Sequence, residues 1–102
     1  MAKVGILLSG SGVFDGSEIT EVILTILALE RQAVEIVFLG LNHNQYHVIN
    51  HATQEQQAET RNMSVEAARM TRGRVVEDLA KYPLSDLEAL LVPGGYGAAK
   101  NF

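Results

Sequence analysis

Two acidic residues stand in a glycine- and serine-rich stretch that follows the first apolar segment of the chain. This stretch, GILLSGSGVFDGSE over residues 5–18, places Asp15 and Glu18 directly before a pattern that predicts a helix. In open α/β folds, ligands bind in the crevice beyond the carboxyl ends of the strands. A carboxyl group that is held partly dry there can exchange protons with a substrate. Glu18 is therefore a candidate catalytic acid or base.

The same two acids also have a purely structural explanation, which the spacing alone favours. Asp15 at the N-cap of the helix and Glu18 three residues later form the pattern of a capping box. Acidic residues in the first helical turn also interact favourably with the helix dipole. Both explanations remain open on the sequence.

The glycines of this stretch match a nucleotide-binding loop only in part. Gly10 and Gly12 satisfy the first two positions of G-x-G-x-x-G, but Asp15 stands where the third glycine belongs. A carboxylate there would repel a pyrophosphate, and no G-K-S/T sequence follows. The sequence therefore disfavours a nucleotide site.

A pair of glycines near the end of the chain offers the second half of a site. In VPGGYGAAKN, residues 92–101, Gly94 and Gly95 directly follow an apolar segment that predicts a strand. Glycines at this position let backbone N–H groups approach a ligand closely, and such donors can stabilise an oxyanion. The same residues also fit an ordinary turn between a strand and a helix.

Three histidines are spaced by four residues in the middle of the chain. On a helix, His43, His47 and His51 would align for a metal ion, but the surrounding asparagines and the branched pair Val48 and Ile49 argue against a helix. We therefore interpret them as loop histidines and predict no metal site. His51 is the one that best fits the wall of a pocket.

The hydrophobic pattern indicates an α/β fold with a parallel sheet. The apolar runs 3–10 and 33–40 flank a helical pattern over 17–31, which makes a βαβ unit with a right-handed crossover. Residues 41–62 predict loops around a small strand or hairpin. The remaining elements are a helix over 64–73 and a buried strand over 89–95.

The composition fits one small domain over residues 1–102 and excludes several functions. The net charge of −4 argues against a nucleic-acid partner, and Arg69, Arg72 and Arg74 alternate with acids as on a solvated helix face. The chain has no cysteine, and its apolar runs are too short to span a membrane. We expect no membrane association, and without a recognisable signal peptide we expect a cytoplasmic protein.

Three stretches together resemble a known family. They are LSGSGVFDGSEI, VINHATQEQQAETRNMSVEAARMTRG and LLVPGGYGAAKN. The sequence resembles the ElbB family of isoprenoid-biosynthesis (enhancing-lycopene-biosynthesis) proteins, in the PfpI/ThiJ superfamily. The resemblance implies a three-layer, flavodoxin-like α/β fold of the class I glutamine amidotransferase-like type with a mostly parallel sheet. It also implies that residues 1–102 are the N-terminal part of one such domain, truncated after the third main strand.

The same resemblance implies a glyoxalase-like activity on a small carbonyl substrate, with no metal or organic cofactor. Glu18 occupies the position of the acid beside the family's catalytic cysteine, and Gly94 and Gly95 match the turn that donates to the oxyanion. Other residues are implied to support the loop or the pocket; they are Asp15, Gly12, His51 and Asn62.

The sequence departs from the family pattern at two points. Ser11 replaces a cysteine that is frequent in the opening loop, and the elbow cysteine is absent. The chain alone is therefore expected to be inactive, and the alternative is a non-catalytic binding or regulatory module of the same fold. Because residues 89–92 would form an unpaired apolar edge, we also expect a homo-oligomer, such as a dimer, or a missing C-terminal segment.

Overall fold

The sheet that carries the fold is built from strands separated widely in sequence. A computed structural model describes all residues, 1–102. Its elements, in chain order, are β1 (Ala2–Leu7), α1 (Ile19–Glu30), β2 (Val34–Gly40), β3 (Ile49–Asn50), β4 (Glu55–Gln56), α2 (Met63–Ala67), β5 (Val76–Asp78), a 3-10 turn (Leu84–Asp86), β6 (Ala89–Leu91) and α3 (Tyr96–Lys100). Strands β5, β2, β1 and β6 lie side by side in that order and are all parallel. The mostly parallel α/β sheet predicted from the sequence is confirmed.

One face of the sheet carries the main core. Ile6 of β1 and Phe38 of β2 are register partners, so their side chains leave the sheet on the same face. Val22 of α1 packs there with Ala67 and Met70, which lie in and after α2. The two crossovers β1–α1–β2 and β2–α2–β5 run in the same direction, so their right-handedness places both helices on this face.

The opposite face has a thinner cover. Gly5 of β1 lies against Leu39, Leu87 and Leu90, and a Cβ atom at Gly5 would come within 2.8 Å of Leu87 Cδ1. The absence of a side chain at this position therefore lets the segment between β5 and β6 pack directly on the sheet.

The apolar side of α1 is wider than the surface that buries it. The sequence predicts one apolar face that includes Ile19, Val22, Ile23, Ile26 and Leu27. Val22 is fully buried and Ile26 packs on the core, but the other three side chains are 44–46% exposed. Part of the predicted apolar face of α1 is therefore left uncovered in this chain.

Several short elements differ from the sequence prediction. The helix expected over 64–73 ends at Ala67, and a turn follows in which Gly73 N donates to Ala68 O at 3.0 Å. The segment LSDLEA, residues 84–89, predicts a final turn capped by Ser85 or Asp86; the 3-10 turn is present, but the cap is wrong, because Pro83 precedes the turn and no side chain caps it. Helix α3 was not predicted. The small hairpin expected within 41–62 is confirmed as β3 and β4.

Strand β6 forms one edge of the sheet and is exposed. It pairs only with β1, and its residues Leu90 and Leu91 are 44% and 38% exposed. The strand predicted over 89–95 is confirmed over Ala89–Leu91, but its predicted burial is wrong for this chain, whereas the expected unpaired apolar edge is observed. None of the helices combines the length and the apolar character needed to cross a membrane.

Candidate functional site

The start of α1 and the diglycine turn lie against each other. Glu18 N donates to Gly94 O at 2.7 Å. This contact follows from the topology, because β1 and β6 are adjacent and parallel, and the loops that follow them leave the same edge of the sheet. Gly95 has φ +116°, and a Cβ there would overlap the carbonyl oxygen of Gly16. Glycine at this position therefore allows the two loops to approach each other.

The carboxylate of Glu18 is held by the helix that it precedes. Its Oε1 and Oε2 accept from Thr20 N at 3.2 Å and Glu21 N at 2.8 Å, so Glu18 is the N-cap residue of α1. The predicted cap at Asp15 is wrong, because Gly16 N donates to the Gly12 carbonyl in a separate turn and helical geometry begins only at residue 19. The two bonds fix the orientation of a carboxylate at the edge of the sheet.

A second carboxylate, which the sequence analysis did not single out, lies over the same turn. A Cβ atom at Gly94 would come within 2.6 Å of Glu21 Oε2. The sequence predicts only that Glu21 belongs to the polar side of α1, together with Glu18 and Glu30. Its spacing of three residues from Glu18, which places both acids on one side of the helix, was the available signal.

The diglycine turn retains free backbone donors. The N–H groups of Gly94 and Gly95 have no acceptor among the hydrogen bonds of the structure. Both belong to the turn that contacts Glu18. The arrangement therefore places available donors next to carboxylates, while the role of the donors at an oxyanion stays a prediction.

Asp15 joins the opening loop to the hairpin. Its side chain is buried, and Oδ2 accepts from Ile49 N at 2.8 Å. Oδ1 lies 3.8 Å from Nε2 of His51. The residue therefore ties the loop between β1 and α1 to strand β3 and does not cap the helix.

His51 is fixed by two backbone groups. Its Nδ1 lies 3.0 Å from Ile49 O, and its Nε2 accepts from Phe14 N at 3.2 Å. A neutral ring that carries its proton on Nδ1 satisfies both contacts. Gly12, with φ +151°, leaves room for the ring, because a Cβ there would come within 2.5 Å of Nε2.

His51 and Asp15 line a polar cavity of about 240 Å³. Glu66, nearly buried in its wall, pairs with Arg61 at 3.3 Å and with Arg69 at 2.9 Å. The pKa of Arg61 is raised above its ordinary value, first by its hydrogen bond with Glu59 and also by Glu66. Arg61 therefore stays charged at neutral pH, and the charged groups in this wall are paired with one another.

Asn62 braces the fold away from this cavity. Its Oδ1 accepts from Ser64 N at 2.9 Å and Val65 N at 3.0 Å, which caps α2, and its Nδ2 donates to Asn42 Oδ1 at 2.7 Å. It is not among the residues that line the 240 Å³ cavity. Of the two roles that the sequence left open for Asn62, these contacts fit bracing.

Asn101 connects three segments and was also missed by the sequence analysis. Its Nδ2 donates to Ser9 Oγ at 2.7 Å and to Asp15 O at 3.1 Å, and its Oδ1 accepts from Tyr46 N at 2.8 Å. No spacing rule relates Asn101 to these partners. Its place directly after α3 brings the end of VPGGYGAAKN back onto the opening loop.

The other histidines do not form a site with His51. Residues 43–51 are loops and the start of β3, so the helical alignment considered for a metal is not formed. The structure contains no group of three or more His, Cys, Asp or Glu side chains that could hold a metal ion.

Comparison with known proteins identifies relatives of this chain. No family model matches the sequence. The human glutamine amidotransferase-like class 1 domain-containing protein 3, mitochondrial, is 41% identical over 101 residues, which are 98% of this chain and 37% of the human protein. The rat ES1 protein homolog, mitochondrial, is 40% identical over 101 residues, covering 98% of this chain and 38% of its own length.

A solved structure supplies the decisive observation. A crystal structure described as an isoprenoid biosynthesis protein with an amidotransferase-like domain, from Ehrlichia chaffeensis, superposes with a TM-score of 0.95 at 40% identity, over 100% of this chain and 47% of that one. The chain has a class I glutamine amidotransferase-like fold. The fold predicted from the sequence is confirmed, the relatives support the superfamily, and the finer assignment to the ElbB family stays a prediction.

The amidotransferase-like chain spans less than half the length of these relatives. The relatives also correct one expectation. A cytoplasmic location is expected from the sequence, but the human, rat and zebrafish relatives are all named as mitochondrial proteins, the zebrafish ES1 protein at 32% identity over 103 residues. The expectation of a cytoplasmic location is therefore wrong.

Proposed function

We propose that the chain is the N-terminal part of an ElbB-type domain whose complete form converts small dicarbonyls to hydroxy acids. The observation that carries the proposal is the 2.7 Å contact between Glu18 N and Gly94 O. It brings an oriented carboxylate and two unused backbone donors to one edge of the sheet, where ligands bind in open α/β folds. The name of the Ehrlichia chaffeensis neighbour supports a link to isoprenoid biosynthesis.

The proposed reaction needs a nucleophile that this chain does not contain, since it has no cysteine. A thiolate from the complete domain adds to the aldehyde carbon of methylglyoxal and forms a hemithioacetal. Glu18 then removes the proton from that carbon and returns it to the neighbouring carbon, which gives a thioester of lactate. Water hydrolyses the thioester, so the net change is the addition of one water to methylglyoxal.

The proposed roles follow the positions of the groups. The carboxylate of Glu18 is oriented by Thr20 N and Glu21 N, which leaves it further lone pairs for a substrate proton. The Gly94 and Gly95 N–H groups are placed to stabilise negative charge on the substrate oxygen. Neither role requires a metal ion or an organic cofactor.

A chimera tests the proposal. Residues 1–102 replace the matching segment of the Ehrlichia chaffeensis protein, and lactate formation from methylglyoxal is measured for the chimera, for that protein and for the 102-residue chain. We expect turnover by the chimera and none by the chain alone. A folded chimera that fails to turn over methylglyoxal, while the parent protein succeeds, would contradict the proposal.

A non-catalytic binding module of the same fold is the second candidate, and the observation that favours it is a polar cavity apart from Glu18 and the diglycine turn. The polar cavity of about 240 Å³ beside Asp15 and His51 would then be the site of recognition. In that case neither the chimera nor the parent protein forms lactate, although the chain binds a small polar ligand in this cavity.

A further inference from the structure

A second concave surface lies on the helical face of the sheet, apart from the polar cavity. It is a groove of about 600 Å³ between α1 and the turn that follows α2. Its apolar lining consists of Ile23, Ile26, Leu27, Phe38 and Met70. None of its residues lines the polar cavity or belongs to the diglycine turn.

The groove has a buried floor and an exposed apolar wall. Phe38 and Met70 are 2% and 7% exposed, whereas Ile23 and Leu27 are each 44% exposed. Ile23 and Leu27 are one helical turn apart, so they form a continuous stripe along α1. A stripe of this kind beside a concave floor is the usual composition of a ligand site.

The rim of the groove carries one ion pair and one further cation. Arg74 Nη1 lies 3.2 Å from Glu30 Oε1, and its guanidinium lies 4.8 Å from the centre of the Phe38 ring. Arg72 has no carboxylate within 4 Å. The rim therefore has a net charge of +1 in a chain whose net charge is −4.

The backbone at Arg72 is in a conformation that its residue type disfavours. Arg72 has φ +59° and is followed by Gly73 with φ +76°. A left-handed conformation costs a non-glycine residue of this kind about 1 kcal/mol. Arginine is nevertheless the residue at this position, and it lines the groove.

We propose that this groove binds a small amphiphilic anion as a free monomer. Its hydrocarbon body lies along Ile23, Leu27 and Phe38, and its carboxylate or phosphate pairs with Arg72. The volume lies within the usual range of small-molecule sites, and the single unpaired charge at the rim complements one anionic head group. This site is independent of the proposed dicarbonyl chemistry.

Dodecanoate below its micelle concentration is the probe, with dodecanol as the uncharged control of equal chain length. Binding to the 102-residue chain is measured by calorimetry, and the site is mapped by amide chemical shifts. We expect one saturable site, shifts confined to α1 and residues 70–74, and an affinity for dodecanol at least about tenfold lower, as the loss of one charged hydrogen bond gives.

Arginine variants test the role assigned to the rim. Arg72→Gln is expected to lower the affinity for dodecanoate about tenfold and to leave that for dodecanol unchanged. Arg31→Gln removes the same charge from the end of α1 outside the groove and should leave both affinities unchanged. Arg72→Gly, which suits the left-handed backbone, should fold at least as stably as the wild type and lose the same affinity.

A substitution in the apolar wall of the groove distinguishes binding of the free ligand from occupation of the groove by a membrane or by a second copy of the chain. Leu27→Asn is expected to weaken binding of both probes. The proposal is overturned if dodecanoate shows no saturable binding, if Arg31→Gln and Arg72→Gln behave alike, or if the shifts lie elsewhere. It is equally overturned if the chain binds anionic vesicles but not monomeric dodecanoate. It is also overturned if the only effect of Leu27→Asn is to dissociate a dimer of the chain.

Discussion

Gly95 combines a left-handed backbone with the closest approach of two loops. It has φ +116°, and a Cβ atom there would meet the Gly16 carbonyl oxygen and come within 2.7 Å of Glu18 N. Gly73 offers a matched comparison, since it has φ +76° but nothing within 4 Å of the added atom. The two glycines therefore separate backbone strain from steric overlap.

We expect Gly95→Ala to lower the free energy of unfolding by about 3 kcal/mol or more, because strain and overlap add. Gly73→Ala should lower it by only about 1 kcal/mol, from strain alone. Urea unfolding of the two variants measures the difference. Equal losses would show that the close approach of the loops does not constrain residue 95.

The meeting of Glu18 with Gly94 could be predicted from the sequence, whereas its details could not. Two parallel strands that are neighbours bring their following loops together, and the apolar runs before both residues are evident. The cap on α1 was assigned to Asp15 because the spacing fits a capping box. In the structure Asp15 instead accepts a hydrogen bond from Ile49 N, in a hairpin 34 residues away. Local spacing does not encode this contact.

Among the helices and strands, the length of an element determined whether its hydrophobic pattern could be recognised in the sequence. The 12 residues of α1 and the 6 and 7 residues of β1 and β2 carry a readable hydrophobic period. Helix α3 has five residues and two of its first-turn positions are Tyr96 and Gly97. Gly97 packs directly on Gly16, and its N–H donates to Gly16 O at 3.0 Å, a tertiary contact with no local signal.

The cap of α2 gives a prediction at this scale. Asn62→Ala removes the acceptor for Ser64 N and Val65 N, and we expect a loss of about 1–2 kcal/mol in the free energy of unfolding. Asn42→Ala removes only the side-chain contact to Asn62 and should cost about 0.5–1 kcal/mol. Thermal and urea unfolding compare the two; a larger loss for Asn42→Ala would contradict the capping role.

At the scale of the whole molecule, the exposed edge strand β6 is the feature most suited to pairing with another chain. Leu90 and Leu91, together with Val92 at 51% exposure, present an apolar surface beside unpaired backbone groups. Such an edge is a template for pairing with another chain. We propose that the chain self-associates through this edge unless another segment covers it.

Leu91→Lys tests this proposal, because a charged side chain on an edge strand opposes pairing. We expect it to weaken self-association at least about tenfold by sedimentation velocity, or about 1.4 kcal/mol. Val75→Lys places the same charge on an exposed residue next to β5, at the other edge, and should change nothing. A wild-type chain that is monomeric at all concentrations would contradict the proposal.

Glu18 and the diglycine turn are proposed to act on one substrate, and the turnover number of the chimera shows whether they do. Glu18→Gln keeps the size of the side chain and removes its ability to carry the proton, so kcat for lactate formation should fall about 100-fold or more. Glu35→Gln makes the same change in the surface pair with Lys3 and should leave kcat unaltered. Undiminished turnover by a folded Glu18→Gln chimera would contradict the proposed role of Glu18 in proton transfer.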